Sequence, residues 1–200
     1  MRPEIEKRVY GVELRAKKAE PDATGETKGL GTITGYAAVF NSKSEDLGFR
    51  EIIMPGAFDR ALKEAHDVRA LWNHNQDMVL GRTKSGTLRL SVDERGLKIE
   101  TDLPDTQAGR DALTLIGRGD VDQMSFAFRT LTDDWRTEDG EIIRELRDLE
   151  LLDVSPVAYP AYAETSVSAR ALEMAKGTQP PPILGVPLDI LERRLRMSAR

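Results

Sequence analysis

A succession of short β-forming stretches, each closed by a turn signal, constrains this chain more than any other feature. Residues 30–40 (LGTITGYAAVF), 68–72, 87–92, 97–102, 123–131 and 142–157 are rich in β-branched, aromatic and alternating apolar residues, the pattern of half-buried strands. Asp93-Glu94-Arg95-Gly96 joins two of them as a hairpin, and Asp139-Gly140 lies in the polar turn between the last two. Val9, Val12 and Leu14 hint at one more short strand, and residues 20–29 (EPDATGETKG) read as a loop. Helical spacing is rarer. Phe58, Leu62 and Ala65 share one face of residues 57–66. Ala112, Leu113 and Ile116 mark a second helix, capped by Asp105 or Thr106 and stopped by Gly117 and Gly119 after about Arg118. The expectation is an α+β fold in which strands dominate.

Residues 1–170 read as one domain. From Gly177 the composition shifts to GTQPPPILGVP, a semi-rigid linker of the polyproline II kind. Leu188, Leu191 and Leu195 then mark one face of a terminal helix, and Arg193, Arg194, Arg196 and Arg200 make it locally basic. Residues 171–200 are therefore expected to form a linker and a basic amphipathic tail.

Composition removes whole classes of chemistry. The chain has no cysteine, which excludes disulfides, thiolate nucleophiles and cysteine-ligated metals. Lys and Arg number 29 against 34 Asp and Glu, a net charge of −5, which argues against a nucleic-acid partner held by bulk charge. No apolar run approaches the ~20 residues of a membrane-spanning helix. The N-terminus lacks a signal-peptide core, so a cytosolic protein without a membrane partner is expected. His66 and His74 stand eight apart and match no metal-binding spacing, and no P-loop or G-x-S-x-G elbow occurs. The glycines of G-x-G-x-x-x-G, at 29, 31 and 35, open no helix and fail as a dinucleotide fingerprint.

Hydroxyl nucleophiles remain. Of nine serines, most lie in polar loops, whereas Ser125 lies inside an apolar strand. Alternation puts Met124, Phe126 and Phe128 on the core side, and Ser125, Ala127 and Arg129 on the side from which a substrate could approach. A plain strand serine has the same pattern. His74, between Asn73 and Asn75 at a strand end, suits a partly exposed base or an ordinary turn histidine. His66 ends a predicted helix, where a cation meets the dipole well. Asp148, Glu150 and Asp153 supply acids from one strand. If that strand is unbroken, Asp153 shares a face with Ser155 and Val157, while Asp148 and Glu150 point away. A bulge would reverse that assignment.

Several blocks then carry a resemblance: Gly35-Tyr36-Ala37-Ala38-Val39-Phe40-Asn41, Pro55-Gly56-Ala57-Phe58, Leu71-Trp72-Asn73-His74-Asn75 with Leu80-Gly81-Arg82-Thr83, Gly119-Asp120 before Met124-Ser125-Phe126, and Asp153-Val154-Ser155-Pro156-Val157 before Pro160-Ala161-Tyr162. In order and spacing, residues 5–170 resemble the prohead serine proteases of tailed phages and prophages. The resemblance implies a mostly antiparallel β-barrel surrounded by helices, of the herpesvirus-assemblin type. It also implies an endopeptidase inside the procapsid, in the bacterial host cytoplasm. Such an enzyme cuts scaffold or the N-terminal segment of the major capsid protein, and then itself, with no cofactor or metal. It implies His74 as base, Ser125 as nucleophile and Asp153 as the acid. The family often has Glu at that last position, which keeps Glu150 in reserve. A non-enzymatic capsid-assembly or scaffold-binding protein on the same fold is the alternative expectation. The tail lies outside the resemblance, and its basic face suits docking on an acidic scaffold or capsid segment.

Overall fold

The computed structural model describes residues 3–11, 13–21 and 29–159. The expected linker and basic tail at 171–200 lie outside the described residues. The elements run β1 (Glu6–Gly11), β2 (Arg15–Lys18), β3 (Gly31–Val39), β4 (Arg50–Ile53), α1 (Asp59–Lys63), β5 (Arg69–Trp72), β6 (Asn75–Arg82), β7 (Leu88–Val92), β8 (Gly96–Asp102), α2 (Gln107–Arg118), β9 (Gln123–Glu138) and β10 (Glu141–Val157). The α+β expectation holds, with strands in the majority.

The strands form two sheets. One has the order β1-β9-β10-β5-β6 with β4 also on β10, and the other the order β2-β3-β8-β7. Pairing is antiparallel except where β10 takes β4 and β5 as parallel neighbours. Among the described residues the ladders leave both sheets open, without the hydrogen-bonded closure of a barrel. Apolar residues of the two sheets, Met124, Phe126 and Phe128 from β9 with Ile33, Leu97 and Ile99 from β3 and β8, meet in one core cluster.

Local chemistry explains most elements. Thr106 caps α2 by accepting from the Gly109 N–H at 3.3 Å, and Gly119 ends it at φ 82°. The Asp93 carboxylate accepts from the N–H groups of Arg95 and Gly96 and closes the β7–β8 hairpin. Asp139 and Gly140, at φ 51° and 84°, turn β9 into β10. The glycine spacing in β3 has a packing cause: a Cβ on Gly31 would stand 2.2 Å from the Lys17 carbonyl, and one on Gly35 2.9 Å from that of Glu13. Helix α1 is shorter than the expected 57–66. Ala57 and Phe58 are buried in the turn before it, and Ala65 at φ 48° bends the chain away after it.

A buried ion cluster pins the N-terminal strand. Arg8 donates to both carboxylate oxygens of Glu51, at 2.7 and 2.9 Å, and to Glu6 at 2.8 Å. Arg144 donates to Glu6 at 2.6 Å, Glu51 at 3.0 Å, Asp133 at 2.6 Å and Thr130 at 2.8 Å. Burial alone would push the Glu6 carboxyl up, yet the hydrogen bond and charge of Arg144, with Arg8 behind it, hold it below its ordinary value. Removing one member of a buried pair strands its partner, at a cost of about 3–5 kcal/mol. Glu51→Ala is therefore expected to lose about that much stability in urea denaturation at neutral pH. A depressed folded-state pKa stabilises above the unfolded value and is lost as pH falls through the folded one. Stability should accordingly fall on acidification below about pH 4.5, and less steeply in Glu6→Gln than in the wild type.

Candidate active site

Three elements converge on one face of the larger sheet. Ser125 stands on β9, and directly across the ladder is Ser155 of β10. Asp153 pairs with Ala127 and so shares their face. His74 comes from the two-residue turn between β5 and β6, where Asn73 and His74 sit at φ 52° and 58° and Trp72 pairs with Asn75. Asparagine tolerates the left-handed region better than most residues, which suits the first turn position.

The side chains form one line. His74 Nδ1 lies 2.6 Å from Asp153 Oδ1, and His74 Nε2 lies 2.6 Å from Ser125 Oγ. A carboxylate only accepts, so Nδ1 carries the proton and donates. Nε2 is thereby left with its lone pair aimed at the Ser125 hydroxyl, which donates to it. Ser155 Oγ–H donates to the same Asp153 oxygen at 2.8 Å. Ser125 and Ser155 have no exposed surface, and the His74 and Asp153 side chains are 7% and 14% exposed. Chemically, the arrangement can generate an alkoxide-like nucleophile and stabilise the imidazolium that results.

Ser125 lies on the side away from Met124, Phe126 and Phe128, as alternation expects, yet it is fully buried beside the imidazole and the opposite strand. The face assignment of Glu150 changes as well. Leu151 pairs with Phe128 and Asp153 with Ala127, so Leu152 is an extra residue in a bulge. Above it, Leu149 and Leu151 point into the core; below it, Val154 does. Glu150, opposite Arg129, therefore lies on the same face as Asp153 and Ser125. It is engaged elsewhere, accepting from Arg129 at 2.8 Å. Asp148 accepts from Arg60 at 3.0 Å, and His66 is paired with Glu64 at 3.1 Å. None of these three touches the line of His74.

Sequence reasoning missed two supporting residues. Ser155 was visible only as a face neighbour of Asp153. Asn73 clamps the turn to the end of β10: its N–H donates to the Pro156 carbonyl at 3.0 Å, and its side-chain oxygen accepts from the Ala158 N–H at 3.0 Å. The only advance signal was an asparagine beside the histidine. Among the described residues, no group of three or more His, Asp or Glu side chains is placed to hold a metal ion.

The sequence matches the caudovirus prohead serine proteases over residues 14–180. The chain belongs to that family. A solved structure supports the fold: the bacteriophage T4 capsid assembly protease, gp21, superposes with a TM-score of 0.53 at 12% identity, covering 78% of this chain and 99% of that one. No curated protein matches the chain. Within this prohead protease, the Asn73 clamp gives a direct test. Asn73→Ala loses a side-chain acceptor and puts alanine at positive φ, for an expected loss of about 1–2 kcal/mol. Asn73→Gly relieves the backbone cost, so its loss in the same urea titration should be smaller.

Proposed function

We propose that this prohead protease is a serine endopeptidase in which Ser125, His74 and Asp153 carry the reaction. The observation that supports this most is the unbroken line from the Ser125 hydroxyl through His74 to Asp153, at 2.6 Å for each step. Ser125 Oγ attacks the scissile carbonyl carbon while its proton passes to His74 Nε2. Asp153 holds the imidazolium by its Nδ1–H. The protonated Nε2 then gives its proton to the leaving amine, and an acyl-enzyme ester remains on Ser125. Water, deprotonated by the same nitrogen, releases the acid and restores the serine. Every group used belongs to the chain, and no cofactor or metal takes part.

The substrates in this reading are scaffold or the N-terminal segment of the major capsid protein, and finally the protease itself. The reaction takes place inside the procapsid, assembled in the bacterial host cytoplasm. In this reading the fold, with its two open sheets around one core, is related to the barrel of the herpesvirus-assemblin type. Residues 1–170 form the protease unit, and 171–200 a linker and basic tail that docks it on an acidic scaffold or capsid segment. A purely structural role on the same fold gives no reason for a buried serine, imidazole and carboxylate in hydrogen-bonded series.

The test is co-expression with the capsid protein, read by mass spectrometry, alongside labelling by a fluorophosphonate. Ser125→Ala and His74→Ala should each abolish cleavage, and the double variant should be little worse, because the groups act as one unit. Asp153→Asn should cut turnover by orders of magnitude, up to about 10⁴-fold, with the fold intact. Glu150→Gln and His66→Ala should leave processing near wild type. Processing that survives Ser125→Ala would sink the assignment.

A further inference from the structure

We propose that Ser155 is a positioning residue that fixes the Asp153 carboxylate for His74, an inference that rests on the catalytic reading of Ser125, His74 and Asp153. Ser155 is fully buried and stands across the ladder from Ser125. Its hydroxyl donates to Asp153 Oδ1 at 2.8 Å, the oxygen that accepts from His74 Nδ1 at 2.6 Å. Its neighbours Val154, Pro156 and Val157 are buried too. Packing alone would be met by an alanine here, without the cost of burying a hydroxyl.

A carboxylate held by a single donor can turn about its Cβ–Cγ bond and offer either oxygen; a second donor on the same oxygen fixes the plane and the distance to Nδ1. Asp153 is too little exposed for water to replace that donor freely. Without Ser155, the carboxylate becomes less ordered, and the fraction of His74 aligned on Ser125 falls.

The experiment measures the rate of fluorophosphonate labelling of the full chain, which reports on Ser125 without requiring the cleavage sequence. Ser155→Ala should slow that rate about tenfold, the value of one hydrogen bond to a charged group. Ser155→Thr, which keeps the hydroxyl, should recover most of the rate. If Ser155→Ala fails to fold by circular dichroism, Ser155→Cys, close in shape but a weak donor, should show the same slowing. Labelling of the alanine or cysteine variant at the wild-type rate would overturn the proposal. Equal slowing in Ser155→Ala and Ser155→Thr would also overturn it, because packing would then be the cause. Failure of the wild type to label at Ser125 would instead strike the protease reading itself.

Discussion

The pairing of β9 with β10 is the constraint on which the site depends. It sets Ser125 opposite Ser155 and Ala127 opposite Asp153, so the serine hydroxyl and the carboxylate stand on neighbouring strands of one face before any loop is considered. The extra residue at Leu152 lets the same strand send Leu149 and Leu151 into the core above the bulge and Val154 below it. Each stretch thus keeps an apolar row inward and an acidic residue outward. Only His74 is borrowed from elsewhere, and it arrives on a turn too short to wander. The parallel pairing of β5 with β10 at Asp153 and Val154 holds the strand leading to that turn beside Asp153.

The ion cluster around Arg8, Glu51, Glu6 and Arg144 acts on the far side of the same strand. β1 pairs with β9 in a register that puts Val9 opposite Ser125. A slip of one residue would turn every β1 side chain to the wrong face. Apolar contacts alone would tolerate such a slip in this charged strand (EKRVYG) better than a cluster in which the two guanidiniums are held between the shared carboxylates of Glu6 and Glu51. Buried ion pairs often add little net stability, since desolvation offsets attraction. Here they fix register, and their bonds reach β4, β9 and β10 together.

Legibility in the sequence followed burial. Helix α2, the β7–β8 hairpin and the apolar half of β9 were readable because caps, turn residues and alternation agree with their final surroundings. The second half of β9, Thr132 to Glu138, reads in the sequence as part of a polar turn because Asp133, Asp134 and Arg136 carry no apolar row. It pairs with β10 through backbone bonds and charge instead. β6 was missed for a related reason: most of it is an exposed edge, with Met78 and Val79 over two-fifths exposed. In the site, His74, Ser125 and Asp153 were named from resemblance, whereas alternation alone left the acid open. The Leu151-Leu152 doublet was the one visible mark of the bulge, since it is where the apolar phase changes from odd to even positions. Asn73 and Ser155 were beyond reach because their partners are a backbone carbonyl, a backbone amide and a carboxylate oxygen whose positions only the fold defines.

Burial of the site has a consequence for its chemistry. In a dry surrounding, the attraction between an imidazolium and a carboxylate is several times stronger than in water, which suits the role proposed for His74 of taking a proton from Ser125. Yet Ser125 has no exposed surface, so a peptide carbonyl reaches it only after something moves. β10 is tied on both edges by β9 and β5, so a movement that parts these strands would break the pairing that sets Asp153 and Ser155 beside Ser125.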